Sequence, residues 1–467
     1  MDDQVLFAAL SHDRNPMHVD AVSARRLLTG LPVVHGMHVL LTALEHWEHD
    51  SPVAAKLLEC TFTHAIDVGD EVVFQQMNDN DHVVIEARVA GLCCARIRLT
   101  AGATPGNLPA SVATTSLEDL IRDRVDTPMD LPPDKQIRQR YVLGVAPTTA
   151  LRANFPRTCQ QLGTERVSGL LALSYFVGMV CPGLHSIFAT VNLRLGDPLT
   201  DTRAIALIVD SYDERFRRFE ASITGALTGN LAAFLRSPPQ RQPVMDEIAR
   251  EVATDEFKGT RSLVIGASRG LGELVAKVLA AGGGDVVISY ARGRDDVEQV
   301  AAEIHAWGRG KSEVVQIDVT ADGFDRIDLR LMDAIYFFAT PRIYRKKASV
   351  FVASLFQEFV DFYVKGLYAL CERIEVLPLD RKMRIYVPSS IFVVERPDGL
   401  AEYAMAKAAV EVLIADINRS YKRVRILATR LPRLSTDQTS SLLKIPSGDN
   451  LAAVLPIVRA MNEPHPD

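Results

Sequence analysis

The chain has 467 residues, with 52 Lys and Arg against 58 Asp and Glu, for a formal net charge of −6. That length exceeds what one hydrophobic core holds, so roughly two to four domains are expected. A balance of 48% hydrophobic and 24% charged residues is that of a globular protein; the lack of a basic tract excludes nucleic acid as a partner, and no apolar run reaches the ~20 residues of a membrane span.

The six cysteines, at 60, 93, 94, 159, 181 and 371, form no Cys-x-x-Cys pair. They read as reduced core residues of a cytoplasmic protein, with no metal site among them. Met1-Asp-Asp-Gln lacks the basic and apolar segments of a signal peptide.

The stretch Phe7-Ala-Ala-Leu-Ser-His-Asp13-Arg-Asn-Pro-Met-His18-Val-Asp20 begins helical and breaks at Asn15-Pro16. The break lets Asp13 and His18 point into one space. An acid–base pair holding one water adds that water across a double bond, or removes it. For an isolated pair the alternative is a helix end with a capping Asp and a surface His. Leu31-Pro-Val-Val-His35-Gly36-Met37 leads into a helix patterned by Val39, Leu40, Ala43, Leu44 and Trp47. Strands follow at 57–65, 70–76, 82–90 and 93–100. One helix followed by antiparallel strands predicts a sheet wrapped around the helix, the hot-dog arrangement.

The phrases Leu-Ser-x-Asp-x-Asn-Pro-x-His-x-Asp, Val-His-Gly-Met and Val-Gly-Asp-Glu-Val resemble the MaoC-type (R)-specific enoyl-thioester hydratases and dehydratases. The resemblance implies that Asp13 and His18 are the catalytic pair. It also implies that the backbone N–H of Gly36, at the central helix start, stabilises the thioester enolate oxygen. There are two departures. His12 stands where the family usually has glycine, and the strand that normally precedes this helix is missing. His35, His38, His46 and His49 have no acidic or cysteine partners at ligand spacing, so they read as capping, packing or solvent-facing groups, and no metal is expected.

Thr114 to Pro133 is polar and reads as a connector. The order then repeats: an apolar helix at Val167 to Val180, closed by Pro182-Gly183, and strands at 186–195, 204–211, 216–224 and 228–235. This predicts a second hot-dog unit, paired sheet to sheet with the first. It has no Asp-x-Asn-Pro-x-His turn and is expected to complete the acyl pocket rather than the chemistry. The charged run Asp213 to Glu220 reads as a hairpin with a solvated face. Ser237-Pro-Pro-Gln-Arg-Gln-Pro243 is a stiff spacer, followed by helical spacing at Val244, Ile248 and Val252.

In Ser262-Leu-Val-Ile-Gly-Ala-Ser-Arg-Gly-Leu-Gly272, a buried strand runs into Gly266, Gly270 and Gly272 and then a helix to Ala281. Glycines let a backbone approach a pyrophosphate and the helix N-terminus favours its charge. Glycine turns of this kind also arise for packing alone. Downstream, Ser390 is followed by Tyr403 and Lys407, the last two one helical turn apart. A nearby ammonium favours the phenolate, which makes a tyrosine a general acid–base. Glycine turn, Ser and Tyr-x-x-x-Lys, in this order, resemble the short-chain dehydrogenase/reductase family over roughly residues 258–440. The resemblance implies Ser390, Tyr403 and Lys407 as the catalytic set. It implies cofactor contacts at Gly266, Ser268, Arg269, Gly270, Leu271, Gly272, Asp318, Val319, Tyr403 and Lys407.

The second strand ends in Ser289-Tyr-Ala-Arg292 with no carboxylate, and Arg269 sits in the glycine turn. Two guanidinium groups near the adenosine ribose suit a 2′-phosphate, which favours NADPH; the alternative is that both arginines are ordinary surface residues. Three features depart from the family. Phe337-Phe-Ala-Thr340 replaces Asn-Asn-Ala-Gly. About a dozen residues join strands three and four, too few for the usual helix. Tyr363 stands where the family often has its catalytic asparagine. Leu431-Pro-Arg-Leu-Ser-Thr-Asp437 resembles the family's turn over the nicotinamide. The family's last strand is missing and a helix at Leu451 to Met461 ends the chain, so a dimer is expected rather than the usual tetramer.

The expected fold is therefore an α+β double hot-dog followed by an α/β Rossmann domain with a doubly wound parallel sheet. The expected boundaries are a catalytic MaoC-like hot-dog at 1–105, a second, non-catalytic one at 106–240, a linker at 241–257 and the reductase domain at 258–467. Both halves share one substrate logic: a 3-oxoacyl thioester, on acyl carrier protein or CoA, is reduced to a (3R)-alcohol and then dehydrated. The alternatives are a single activity with the other half degenerate, or a cofactor-sensing scaffold.

Overall fold

The computed structural model describes residues 1–27, 30–47, 55–79, 82–101, 124–145, 148–195, 203–321, 323–344, 347, 349–439 and 448–463. The expected connector at 114–133 lies outside these up to residue 123, as does His49. Two compact units divide the chain, one spanning Met1–Pro238 and the other beginning at Pro239.

The first unit opens with α1 (Asp2–Ser11). It ends at Ser11, four residues before Asn15, because His12 takes the left-handed conformation at φ 62°. That is glycine's region, which explains the glycine expected at this position. Asn15 then caps a single helical turn, Pro16–Val19. The central helix α2 (Gly36–Glu45) buries Met37, Leu40, Leu41, Ala43 and Leu44 completely. Strands β1 (Ala55–Phe62), β2 (Val72–Asp79), β3 (His82–Val89) and β4 (Leu92–Ala101) wrap it.

The second half repeats this plan. β5 (Arg140–Gly144) precedes the buried helix α3 (Thr164–Tyr175), which widens into a π turn at Phe176–Val180. β6 (Ser186–Arg194), β7 (Ala204–Asp213), β8 (Arg218–Gly225) and β9 (Gly229–Leu235) follow. All nine strands form one sheet in the order β2-β3-β4-β1-β6-β9-β8-β7-β5. The halves join edge to edge, not sheet to sheet. β1 pairs antiparallel with β6 from Leu57↔Arg194 to Thr61↔Thr190. Edge pairing satisfies the open backbone groups that each half-sheet would otherwise leave exposed. β5, a short edge strand behind a proline-rich stretch, carries no periodic signal and was not expected. The charged run forms the β7–β8 hairpin, with residues 213–216 exposed.

The second unit is a parallel sheet flanked by helices. Its strands are β10 (Arg261–Ile265), β11 (Asp285–Tyr290), β12 (Ser312–Gln316), β13 (Ala334–Phe337), β14 (Met383–Ser390) and β15 (Val424–Leu431). The order β12-β11-β10-β13-β14-β15 puts the switch point between β10 and β13, where doubly wound folds bind nucleotides. The helices are α4 (Gly270–Ala281), α5 (Arg294–Trp307), α6 (Ala353–Val360), which passes through a π turn at Asp361–Lys365 into α7 (Gly366–Glu375), α8 (Ala401–Ser420) and α9 (Asn450–Asn462). Between β12 and β13 the described residues form two 3-10 turns, Gly323–Arg326 and Leu329–Leu331, in place of the usual helix. Among the described residues no helix is long and apolar enough to cross a membrane.

Candidate active sites

In the first unit, the turn after α1 and the start of α2 converge on a cavity of about 110 Å³ lined by Asp13, His18, Gly36, Phe62, Ser174 and Phe188. The three residues predicted from sequence thus meet in one space. His18 donates from Nδ1 to the Val33 carbonyl at 2.7 Å, which leaves Nε2 as its free nitrogen. Burial, reinforced by the neighbouring His35, pulls the His18 pKa down to about 3, so the ring is a neutral base. Asp13 is 2% exposed, and burial raises its pKa. Two contacts favour its carboxylate: Ser174 Oγ donating to Oδ2 at 2.8 Å, and the Asn15 N–H donating to Oδ1 at 3.2 Å. Gly36 begins α2 with no side chain capping its open N–H groups, and the Phe62 ring sits 3.2 Å from where a Cβ would be.

Two further groups come from the second half. Ser174 reaches Asp13 from α3, and the π turn brings Gly178 so close that a Cβ there would lie 2.1 Å from Asp13 Oδ1. Asn15 Nδ2 donates to the Gly178 carbonyl at 2.8 Å. The second half therefore shapes the acid–base pair itself, beyond the pocket role expected of it. The available signal was a serine and glycines inside an otherwise apolar helix.

Asp13, His18 and His35 place one ligand-type atom each within 4.8 Å of one another, a cluster that sequence spacing had not anticipated. The ring nitrogens of His35 are committed to Gln4 Oε1 and to the Asp13 carbonyl, and His18 Nδ1 to Val33. Only His18 Nε2 and the carboxylate remain, which suits a water and not a metal.

In the second unit, Gly266 (φ 81°) turns the chain out of β10, and a Cβ on Gly272 would lie 2.3 Å from the Gly266 carbonyl oxygen. These glycines hold the start of α4 against the strand. Arg269, the residue before α4, has no side-chain cap bond, so the N-terminal amides of α4 fit a pyrophosphate. Ser268 is buried and Leu271 packs at the same turn. Arg292 is exposed just past β11. Arg269 instead reaches Asp437 at 3.7 Å, in the loop after β15, so its charge is already engaged. Asp318 accepts from the Thr320 N–H and hydroxyl, and Val319 is buried against Gly366.

Ser390 at the end of β14 and Tyr403 and Lys407 on α8 are all buried together. Burial pushes the Tyr403 pKa up to about 12, while a hydrogen bond with the Ser390 side chain acts the other way. Burial pulls Lys407 down to about 7, and Glu411, one turn further on, pulls it up. Lys407 Nζ donates to the Pro388 carbonyl at 2.7 Å and lies 3.8 Å from the Tyr363 ring centre. Tyr363 fills the asparagine position with an aromatic face under the ammonium, and its hydroxyl bonds Thr340 at 2.5 Å. Glu402, beside Tyr403, forms a buried ion pair with Lys347 and accepts the Val352 N–H at 2.6 Å. It thereby ties the segment before α6 to the tyrosine helix.

The sites define an acid–base cavity on a hot-dog sheet and a tyrosine–lysine site on a Rossmann sheet. A MaoC-like domain model matches residues 1–89, and a short chain dehydrogenase model matches residues 261–444. The chain is 30% identical over 196 residues to a 3-oxoacyl-acyl-carrier-protein reductase of Synechocystis sp., covering 39% of this chain and 76% of that protein. It is 29% identical over 177 residues to 3beta-hydroxysteroid dehydrogenase 1 of Eggerthella lenta, covering 36% of this chain and 67% of that one. A short chain dehydrogenase from Burkholderia cenocepacia, solved in complex with NADP, aligns at 22% identity with a TM-score of 0.37, covering 44% of this chain and 91% of that one. The chain belongs to the short-chain dehydrogenase family and carries a MaoC-like dehydratase domain ahead of that reductase domain.

Proposed function

We propose that this chain reduces a 3-oxoacyl thioester to the (3R)-3-hydroxyacyl thioester and then removes water to give the trans-2-enoyl thioester. The observation that carries the reading is the cavity in which Asp13, the free Nε2 of His18 and the open amide end of α2 at Gly36 meet. Neutral His18 takes the C2 proton and passes it to the departing hydroxyl. The Asp13 carboxylate holds the water that forms, and the Gly36 N–H receives the enolate charge on the thioester oxygen.

In the second unit the glycine turn fits the dinucleotide, and a bound NADPH supplies the hydride there. Ser390 holds the substrate carbonyl and Tyr403 donates the proton to its oxygen. Lys407, as an ammonium, eases loss of that proton. The 2′-phosphate preference rests on Arg292 standing at the end of β11 where an NAD enzyme would carry a carboxylate; Arg269 is a weaker support, given its contact with Asp437. An NADPH-linked reductase suits a biosynthetic route with the acyl group on a carrier protein or CoA, and a homodimer is the assembly proposed.

The test is NADPH oxidation with an acetoacetyl thioester, and ultraviolet absorbance change with a crotonyl thioester, each as CoA and carrier-protein forms. Asp13→Asn should abolish only the second signal and Tyr403→Phe only the first. Neither signal from the unaltered protein would sink the proposal. A second reading has a specific observation behind it: Tyr363 fills the asparagine position, with its hydroxyl bound to Thr340. On that reading the chain is a dehydratase or hydratase with a crippled reductase. Crotonyl turnover without NADPH oxidation would select it.

A further inference from the structure

His35 lies outside the Asp13–His18 pair, yet it is fully buried and stacks on His18 with ring centres 3.8 Å apart. Its hydrogen bonds determine how many protons it carries. The His35 backbone N–H, which cannot lose its proton, meets Gln4 Oε1 at 3.1 Å, so the amide oxygen of Gln4 must be the atom facing it. The Gln4 Nε2 then points the other way and donates to His38 Nδ1 at 3.0 Å. The same Gln4 oxygen lies 2.9 Å from His35 Nδ1, and the other ring nitrogen, Nε2, lies 3.0 Å from the Asp13 carbonyl oxygen. Both partners are acceptors. A neutral ring has one N–H and would set a bare lone pair against one of these oxygens. A doubly protonated ring satisfies both.

Burial pulls the His35 pKa down, to about 3 against the raising effect of the Asp13 carbonyl; the two acceptors, which a neutral ring cannot both satisfy, and the Asp13 Oδ2 counter-charge 4.0 Å from Nε2 argue the other way. Both Asp13 oxygens accept from donors, Ser174 and Asn15, which favours the carboxylate. The other titratable groups facing His35 are His18, neutral with its Nδ1 proton on Val33, and His38, which takes a proton from Gln4 and is therefore neutral as well.

We propose that His35 is a positioning residue of the dehydratase site that holds the one proton of the Asp13–His35 pair. As an imidazolium it bridges the oxygens of Gln4 and Asp13 and keeps Asp13 a carboxylate against the free Nε2 of His18. The proposal rests on the dehydratase reading for its catalytic consequence, though not for the protonation state. Its chemical content is a division of labour between two stacked imidazoles, one fixed and charged, one neutral and available for proton transfer.

The test has two arms. The first is nitrogen-15 NMR of the full chain labelled in histidine, at neutral pH, with the His35 signals assigned by their loss in His35→Phe. Two protonated ring nitrogens are expected; a bare nitrogen on His35 overturns the proposal. The second arm is kinetics with crotonyl thioester. His35→Phe keeps the ring stack and loses both donors, so kcat should fall by about 10²-fold with KM nearly unchanged, and the acid limb of the pH profile should move up as Asp13 loses its counter-charge. Gln4→Glu keeps the imidazolium but partly offsets its charge, so kcat should stay within a few-fold while that limb moves up by less than in His35→Phe. Equal profiles in all three proteins overturn the positioning role. If the unaltered protein hydrates no enoyl thioester, the functional reading fails, and the NMR arm still decides the charge of His35.

Discussion

The Asp13 carboxyl is held between opposing influences. Burial raises its pKa, and the donors Ser174 and Asn15 stabilise its charged form. Ser174→Ala removes one of those donors, so the pKa rises further. A group needed as a carboxylate works above its pKa, so the acid limb of kcat/KM for crotonyl hydration should move to higher pH. A limb that stays in place would show that Ser174 serves packing alone. On the reductase side the sign is opposite. On the proposed mechanism Lys407 acts as an ammonium, below its pKa of about 7, and Glu411 supports that charge. Glu411→Gln should therefore move the alkaline limb of kcat/KM for carbonyl reduction to lower pH, read from NADPH oxidation across a pH series. Lys407 also links stability to pH. Its folded pKa lies below the unfolded value of about 10.4, so in that window the unfolded chain binds the extra proton and stability rises with pH. Asp13, His18, Gly36, Ser390, Tyr403 and Lys407 could be proposed from the sequence because each lies in a short phrase that resembles a family motif. Ser174 could not: it meets Asp13 across 161 residues, and no spacing rule reaches that far.

At the scale of elements, the strands and long helices followed from apolar periodicity, and the expected and observed ends agree within a few residues. The misses have physical causes. β5 is five residues on a sheet edge with half its side chains in solvent, so it carries little pattern. α1 stops early because the backbone turns left-handed at His12, a choice of φ that a histidine does not announce. The two π turns are likewise invisible in composition, yet each carries a site residue, Gly178 in one and Tyr363 in the other. Gly178→Ala would put a methyl 2.1 Å from Asp13 Oδ1. The carboxylate must move, so crotonyl hydration should fall by about 10²-fold, while NADPH oxidation with acetoacetyl thioester holds. Gly272→Ala makes the complementary case. Its Cβ would meet the Gly266 carbonyl oxygen at 2.3 Å, and backbone cannot yield cheaply. Forcing α4 off β10 should cost about 1–3 kcal/mol and weaken NADPH binding, both measurable by thermal melting with and without the cofactor. An unchanged melting temperature and unchanged cofactor affinity would contradict that packing role.

At the scale of the whole chain, each site draws on its own unit. Asp13, His18, Gly36 and Ser174 belong to the first, and Tyr363, Ser390, Tyr403 and Lys407 to the second. The described residues fall into separate cores, one beneath the nine-stranded sheet and two flanking the parallel one. A lesion that empties one site without unsettling its core should leave the other intact. Mutants in different units then complement each other. Asp13→Asn keeps its reductase site and Tyr403→Phe its dehydratase site, so an equimolar mixture should convert a 3-oxoacyl thioester to the enoyl thioester although neither chain does so alone. The 3-hydroxyacyl thioester must leave one chain and enter another, so it should accumulate first and enoyl product should follow after a lag. Quenching the mixture at intervals and separating the three thioesters measures this directly. If the mixture makes alcohol but no enoyl product, while Tyr403→Phe alone still hydrates crotonyl thioester, the dehydratase does not accept what the reductase releases. The two halves would then share a chain without sharing a substrate.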